Sequence, residues 1–111
     1  MSKRDDDLLV DDVLDSCNKI FEYTQNDNYE SFVNNSMIVD AVVRNFEVIG
    51  EASKLISEKI KLTFPLVEWQ LMTDFRNVLI HEYFGIDYEI LWNTIQNELK
   101  YNYEMIKLIK L

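Results

Sequence analysis

Residues 38–60 read IVDAVVRNFEVIGEASKLISEKI. Apolar side chains return at Ile38, Val42, Phe46, Ile49, Ala52, Ile56 and Ile60, the three-and-four spacing that gathers them on one face of an α-helix. Carried to Ile60, the pattern predicts one helix of about seven turns, roughly 35 Å long at 1.5 Å per residue. A helix of that length is the spine of whatever packs on it. Gly50 costs a helix interior about 1 kcal/mol relative to alanine, so with Ala52 close by it predicts the near approach of a neighbouring helix. Arg44, Glu47, Glu51 and Lys54 recur on the other side, as expected of a solvated face whose charges pair with one another.

Working outward, Leu9, Val13, Cys17, Ile20 and Phe21 repeat the same spacing and predict a helix over about residues 6–24. Cys17 falls on its apolar face, where a buried small side chain is expected rather than a reactive thiol. TQNDN breaks the pattern, YESFVNN suits a short helix or turn, and Ser36 is placed to cap the spine. Beyond the spine, Pro65 is expected to end it and open the next helix. That helix carries Trp69, Met72, Phe75 and Leu79 and should stop near Gly85, a C-terminal cap. Asp87 then reads as the N-cap of a last helix through Leu91, Trp92, Ile95, Leu99, Tyr103 and Ile106, with Ile86 and Leu91 set for a hydrophobic staple. No stretch alternates as a strand does. The economical fold is all-α, an antiparallel four-helix-type bundle with a short extra helix, in a single domain over residues 1–111.

Composition narrows the function classes. Twenty acidic residues stand against 11 basic ones for a net charge of −9, which opposes broad contact with a phosphate backbone, so any nucleic-acid role must rest on a local positive site. Asp5, Asp6, Asp7, Asp11, Asp12 and Asp15 hold much of the excess. They lack the glycine turn and ligand spacing of a calcium loop and read as a solvated helix face, so no metal or cofactor is expected. One cysteine excludes an intrachain disulfide. The start MSKRDDDLLVDD has no apolar run suited to secretion, and no apolar run approaches the roughly 18 residues of a membrane span. The expectation is a cytoplasmic protein.

Residues 75–87, FRNVLIHEYFGID, hold the chain's one histidine, His81, with Arg76 five positions before it and Tyr83 two after. At about 100° per residue, Arg76 and Tyr83 share a side of an ideal helix while His81 lies about 140° away. A helix that ends around residues 82–84 relieves this, leaving His81 in the last turn, where the negative end of the helix dipole would strengthen its hold on a proton. RNA cleavage without a metal needs a base for the 2′-hydroxyl, an acid for the departing 5′-oxygen and positive charge on the phosphorane-like transition state. One arginine and one histidine supply part of that, and a two-fold partner would bring a second pair. Asn77 could orient the histidine or donate to phosphate. Spacing alone favours a plainer account, in which His81 caps its helix, Arg76 pairs with an acid such as Asp74, and Tyr83 packs in the core.

The same residues resemble the R-x4-H-x-Y motif of the HEPN superfamily, specifically the HepT-like (DUF86) toxins of HEPN/MNT toxin–antitoxin pairs. RNFEVIGEASKLI at 44–56 is similar to that family's long helix, and EWQLMTDFRNVLIHEYFGID at 68–87 to its motif helix. The resemblance covers essentially the whole chain. It implies a homodimeric, metal-independent ribonuclease in which Arg76 holds the scissile phosphate, Asn77 assists and His81 acts as acid or base. It also implies a partner, a minimal nucleotidyltransferase (MNT) antitoxin that attaches AMP to Tyr83. Two rivals stay open: a non-catalytic subunit that binds or presents substrate to a nucleotidyltransferase, and a plain helical oligomer with no site.

Overall fold

The computed structural model describes residues 5–81 and 85–111, with the backbone alone for Ile80 and His81. The first helix, α1 (Asp6–Thr24), has the bounds its periodicity predicts, and Asp5 caps it by accepting from the Asp7 N–H at 3.0 Å. Its buried face of Leu9, Val13, Cys17 and Ile20 packs on the spine, α3 (Ser36–Leu55), after the short α2 (Tyr29–Val33). Burial pushes the Cys17 thiol up to about 12, because the core cannot solvate a thiolate. The spine's cap is Asn35 rather than Ser36; its Oδ1 accepts from the Ile38 N–H at 3.2 Å.

The spine also ends sooner than its apolar repeat suggests. Ile56 is extended (φ −61°, ψ 139°), and a separate helix α4 (Glu58–Thr63) begins behind Ser57. The cause is tertiary: Asp6 accepts from the Ser57 N–H at 3.0 Å and from its hydroxyl at 2.7 Å. Because Asp6 opens α1 and Ser57 follows α3, the same contact shows these two helices to be antiparallel.

Pro65 does not open the next helix. It sits in a turn closed by the Val67 N–H on the Phe64 carbonyl, and α5 (Trp69–Thr73) starts four residues later. Asn102, fully buried, fixes that start: its Oδ1 accepts from the Glu68 N–H at 2.8 Å and its Nδ2 donates to Glu68 Oε1 at 3.0 Å. The chain breaks again at Asp74 before α6 (Phe75–Leu79), and both short helices lie along α3. At Gly50 α5 approaches closely, since an added Cβ would stand 3.2 Å from the Thr73 carbonyl oxygen and 3.4 Å from that of Met72. One turn on, Phe46 and Phe75 meet edge to face at 5.0 Å between ring centres.

The motif helix ends at Leu79, well before Gly85. Beyond it, β1 (Ile80–His81) pairs antiparallel with β2 (Gly85–Ile86), Ile80 opposite Ile86 and His81 opposite Gly85. The Asp87 N–H closes the unit on the Leu79 carbonyl at 3.0 Å. Gly85, expected as a helix cap, instead carries the chain through φ +75° at the start of β2, a conformation that glycine reaches without strain. Asp87 does cap α7 (Tyr88–Gln96), accepting from the Ile90 N–H at 3.1 Å. The last helix is in two pieces, α7 and α8 (Glu98–Lys107), parted at Asn97, whose side-chain amide and N–H both bond the Asn93 carbonyl. Phe32 packs on Trp92 and Phe21 on Tyr103, so α2 and α1 close over α7 and α8. The architecture is the all-α bundle the periodicities predict, with four of its junctions set by polar contacts.

Candidate functional site

The α6–β1 unit carries the residues singled out in the sequence. Its inward side chains, Phe75 and Leu79, are buried, whereas Arg76, Asn77 and Val78 are exposed on its outer side. His81 follows α6 in β1, its backbone paired with Gly85. The His81 side chain and the whole of Tyr83 lie outside the described residues. The anticipated position of His81 in a helical last turn is not realised: it is two residues past Leu79, and the Leu79 carbonyl is already bonded to the Asp87 N–H.

Arg76 does not pair with Asp74, whose carboxylate accepts from Gln70 Nε2 at 2.8 Å. Its partner is Glu47 on the spine, with Nε 3.4 Å from Oε2. The arginine side chain remains 62% exposed and the glutamate 37%. A contact through Nε leaves the terminal amino groups as the guanidinium's outer donors, the edge suited to bidentate phosphate binding. Both residues line a groove of about 390 Å³ between α1, α3 and α6, together with Leu9, Asp12, Arg44 and Glu51.

Glu47 was legible only as one charge of a mutually paired row. Among the described residues no ion pair forms within Arg44, Glu47, Glu51 and Lys54, though the row is solvent-facing as expected. The missing signal was register. With Gly50 against Thr73 in antiparallel packing, one turn in each direction sets Glu47 against Arg76.

The acidic face of α1 makes structural contacts. Asp5 caps, Asp6 holds Ser57, and Asp7 and Asp11 take Lys110 at 3.4 and 3.2 Å. The hydrogen bond to Asp11 raises the proton affinity of Lys110. Among the described residues no group of three His, Cys, Asp or Glu side chains is placed to hold a metal ion, and no helix is long and apolar enough to cross a membrane.

The family model of ribonuclease HepT-like proteins matches residues 13–109. Among curated relatives, "Putative RNase MJ1380" of Methanocaldococcus jannaschii is 46% identical over 99 residues, spanning 89% of this chain and 91% of that protein. "Putative RNase MJ1216" of the same organism is 40% identical over 111 residues, spanning 99% of this chain and 92% of that one. "Probable ribonuclease HepT" of Thermococcus cleftensis is 35% identical over 97 residues, spanning 87% and 88%. No solved structure gives a significant match. The matched span takes in the spine, the α6–β1 unit and both pieces of the last helix, and the chain belongs to the ribonuclease HepT-like family.

Proposed function

We propose that this chain is the ribonuclease toxin of a toxin–antitoxin pair, a metal-independent endoribonuclease that works as a homodimer. The observation that carries the reading is Arg76: an exposed guanidinium on the outer side of α6, five residues ahead of the chain's one histidine, in a member of a ribonuclease family. Arg76 holds the scissile phosphate, with Asn77 as an adjacent donor. The 2′-oxygen loses its proton to a base and attacks phosphorus, the bond to the 5′-oxygen breaks, and an acid protonates that oxygen. His81 of one subunit serves one of these proton transfers and the second copy the other. Positive charge from Arg76 stabilises the phosphorane-like transition state.

Its partner is a minimal nucleotidyltransferase antitoxin. The Tyr83 phenol oxygen takes AMP from ATP, pyrophosphate leaves, and the bulk and negative charge added to the motif shut RNA out. The test is RNA cleavage by pure protein with a chelator present, compared with Arg76→Ala, His81→Ala and protein co-expressed with the nucleotidyltransferase. Cleavage that survives EDTA, vanishes in both variants and is lost as AMP mass appears on the Tyr83 peptide is expected. Cleavage abolished by EDTA contradicts the mechanism.

One contact favours a second reading. Because Arg76 already has a carboxylate partner in Glu47, it can be a structural residue in a non-catalytic subunit that presents substrate to the nucleotidyltransferase. That reading expects no cleavage from wild type or variants, with partner binding intact.

A further inference from the structure

Resting on the ribonuclease reading above, we infer that Glu47 is a positioning residue for the reaction: it grips Arg76 by Nε so that the guanidinium's outer edge is presented to the scissile phosphate. Three observations converge on it. The first is the contact itself, Nε to Oε2 at 3.4 Å, which uses the one guanidinium nitrogen that is not a terminal amino group. The second is that Arg76 is 62% exposed and that, among the described residues, Glu47 is its one hydrogen-bond or ion-pair partner; an unheld arginine would spend entropy each time it met phosphate. The third is the rigidity of the base from which Glu47 reaches. It projects from α3 between Phe46, 1% exposed and packed on Phe75, and Gly50, against which α5 closes. Glu47 and the arginine it holds are thus tied to the same packed seam from opposite sides.

The pair is too exposed to be explained by stability, because surface ion pairs contribute little. It is also made across elements 29 residues apart in sequence, not within a helix turn. A carboxylate beside a phosphate-binding arginine carries an electrostatic disadvantage, since it repels the substrate; orientation is the gain that offsets it. The conservative variant separates the two effects. Glu47→Gln keeps an oxygen acceptor for Nε and removes the charge, whereas Glu47→Ala removes both.

The experiment measures kcat and KM for a short RNA substrate in wild type, Glu47→Ala, Glu47→Gln and Arg76→Ala, alongside thermal unfolding and the exchange protection of the Arg76 Nε–H by NMR, assigned by its loss in Arg76→Lys. Glu47→Ala is expected to lose about 10- to 100-fold in kcat with little change in KM or melting temperature, as misplacement of a reacting group does. Glu47→Gln should recover most of the rate and lower KM. The Nε–H should be protected in wild type and Glu47→Gln and unprotected in Glu47→Ala. Equal kcat in all Glu47 variants, or a faster Glu47→Ala enzyme, overturns the inference and makes Glu47 a bystander or a competitor of phosphate. Should wild type cut no RNA, the ribonuclease reading falls on that result alone. The Nε–H then judges the placement separately: protection lost only in Glu47→Ala supports it, and equal lability in wild type overturns it.

Discussion

The pair α1/α3 and the segment α5–α6–β1 are built on opposite plans. The first consists of long helices capped at their N-termini by side chains, joined through Asp6 and Ser57, and fused by buried faces that include Val10, Val13, Ile20, Val42 and Ile49. The second is a run of pieces too short to be helical alone, held to the spine on one side by Met72, Phe75 and Leu79 and exposed on the other at Arg76, Asn77 and Val78. The difference teaches where each kind of residue can be spent. A scaffold that fixes a short segment by its inner side leaves the outer side free for polar chemistry that contributes little to folding.

That division is most sharply tested on the outer side. Arg76→Ala and His81→Ala should each cut RNA cleavage by about 10³-fold, equivalent to about 4 kcal/mol of transition-state stabilisation. For Arg76→Ala the melting temperature should hardly move, because an ion pair exposed at both ends contributes well under 1 kcal/mol. Unfolding curves run beside cleavage assays check this, and an Arg76→Ala protein that melts early would erase the contrast. The inner side predicts the reverse. Phe46→Ala should cost about 3–5 kcal/mol of stability, read from denaturant unfolding, while the fraction still folded cleaves at a nearly normal rate unless the Phe75 contact also steers Arg76.

The two regions were unequally legible. Bounds of α1, the Asp87 cap and the meaning of Gly50 followed from local rules, because periodicity, capping chemistry and glycine's missing Cβ all act within a turn or two. The end of the spine at Ile56 did not, since the apolar repeat runs on, and although Ser57 caps α4 locally through the Ile60 N–H, its N–H and hydroxyl are also held by Asp6, 51 residues away. The early end of the motif helix at Leu79 has the same character: Asp87 reaches the Leu79 carbonyl only once the chain has returned. Arg76 and Asn77 could be named from the sequence as candidates, though not their exposure, which the structure supplies. Glu47 could not be assigned to Arg76, because an interhelical partner depends on packing register, which no local pattern encodes.

Cys17 gives a way to probe the scaffold without touching the site. Its thiol is pushed up to about 12 when folded from 9.0 as an ordinary cysteine, so below pH 9 both states keep the proton and its burial is unopposed. Above pH 9 the unfolded chain ionises while the folded one does not, and stability falls as pH rises toward 12. At pH 10 the loss from this group is about 1.4 kcal/mol. Comparing the pH dependence of unfolding for wild type and Cys17→Ala isolates it, since other titrating groups cancel. Parallel curves would mean that the thiol is better solvated than its burial implies.

Gly50→Ala addresses the joint between the two plans. Alanine should gain about 1 kcal/mol in helix propensity, but its Cβ meets a backbone oxygen, Thr73 O at 3.2 Å, and a main-chain atom cannot turn aside as a side chain can. Overpacking of this kind costs about 1–3 kcal/mol, so the net should be a loss of about 1 kcal/mol. The informative quantity is the activity. To relieve the contact α5 must shift by a few tenths of an ångström, and α6 continues from it after one residue, so the shift passes to Arg76 while Glu47 stays on the spine. An already long 3.4 Å contact would stretch further. Cleavage should therefore fall by more than the stability loss explains, chiefly in kcat. If stability drops and the folded protein cleaves normally, α5 and α6 move independently at Asp74, and the spine positions the segment without transmitting to its outer side.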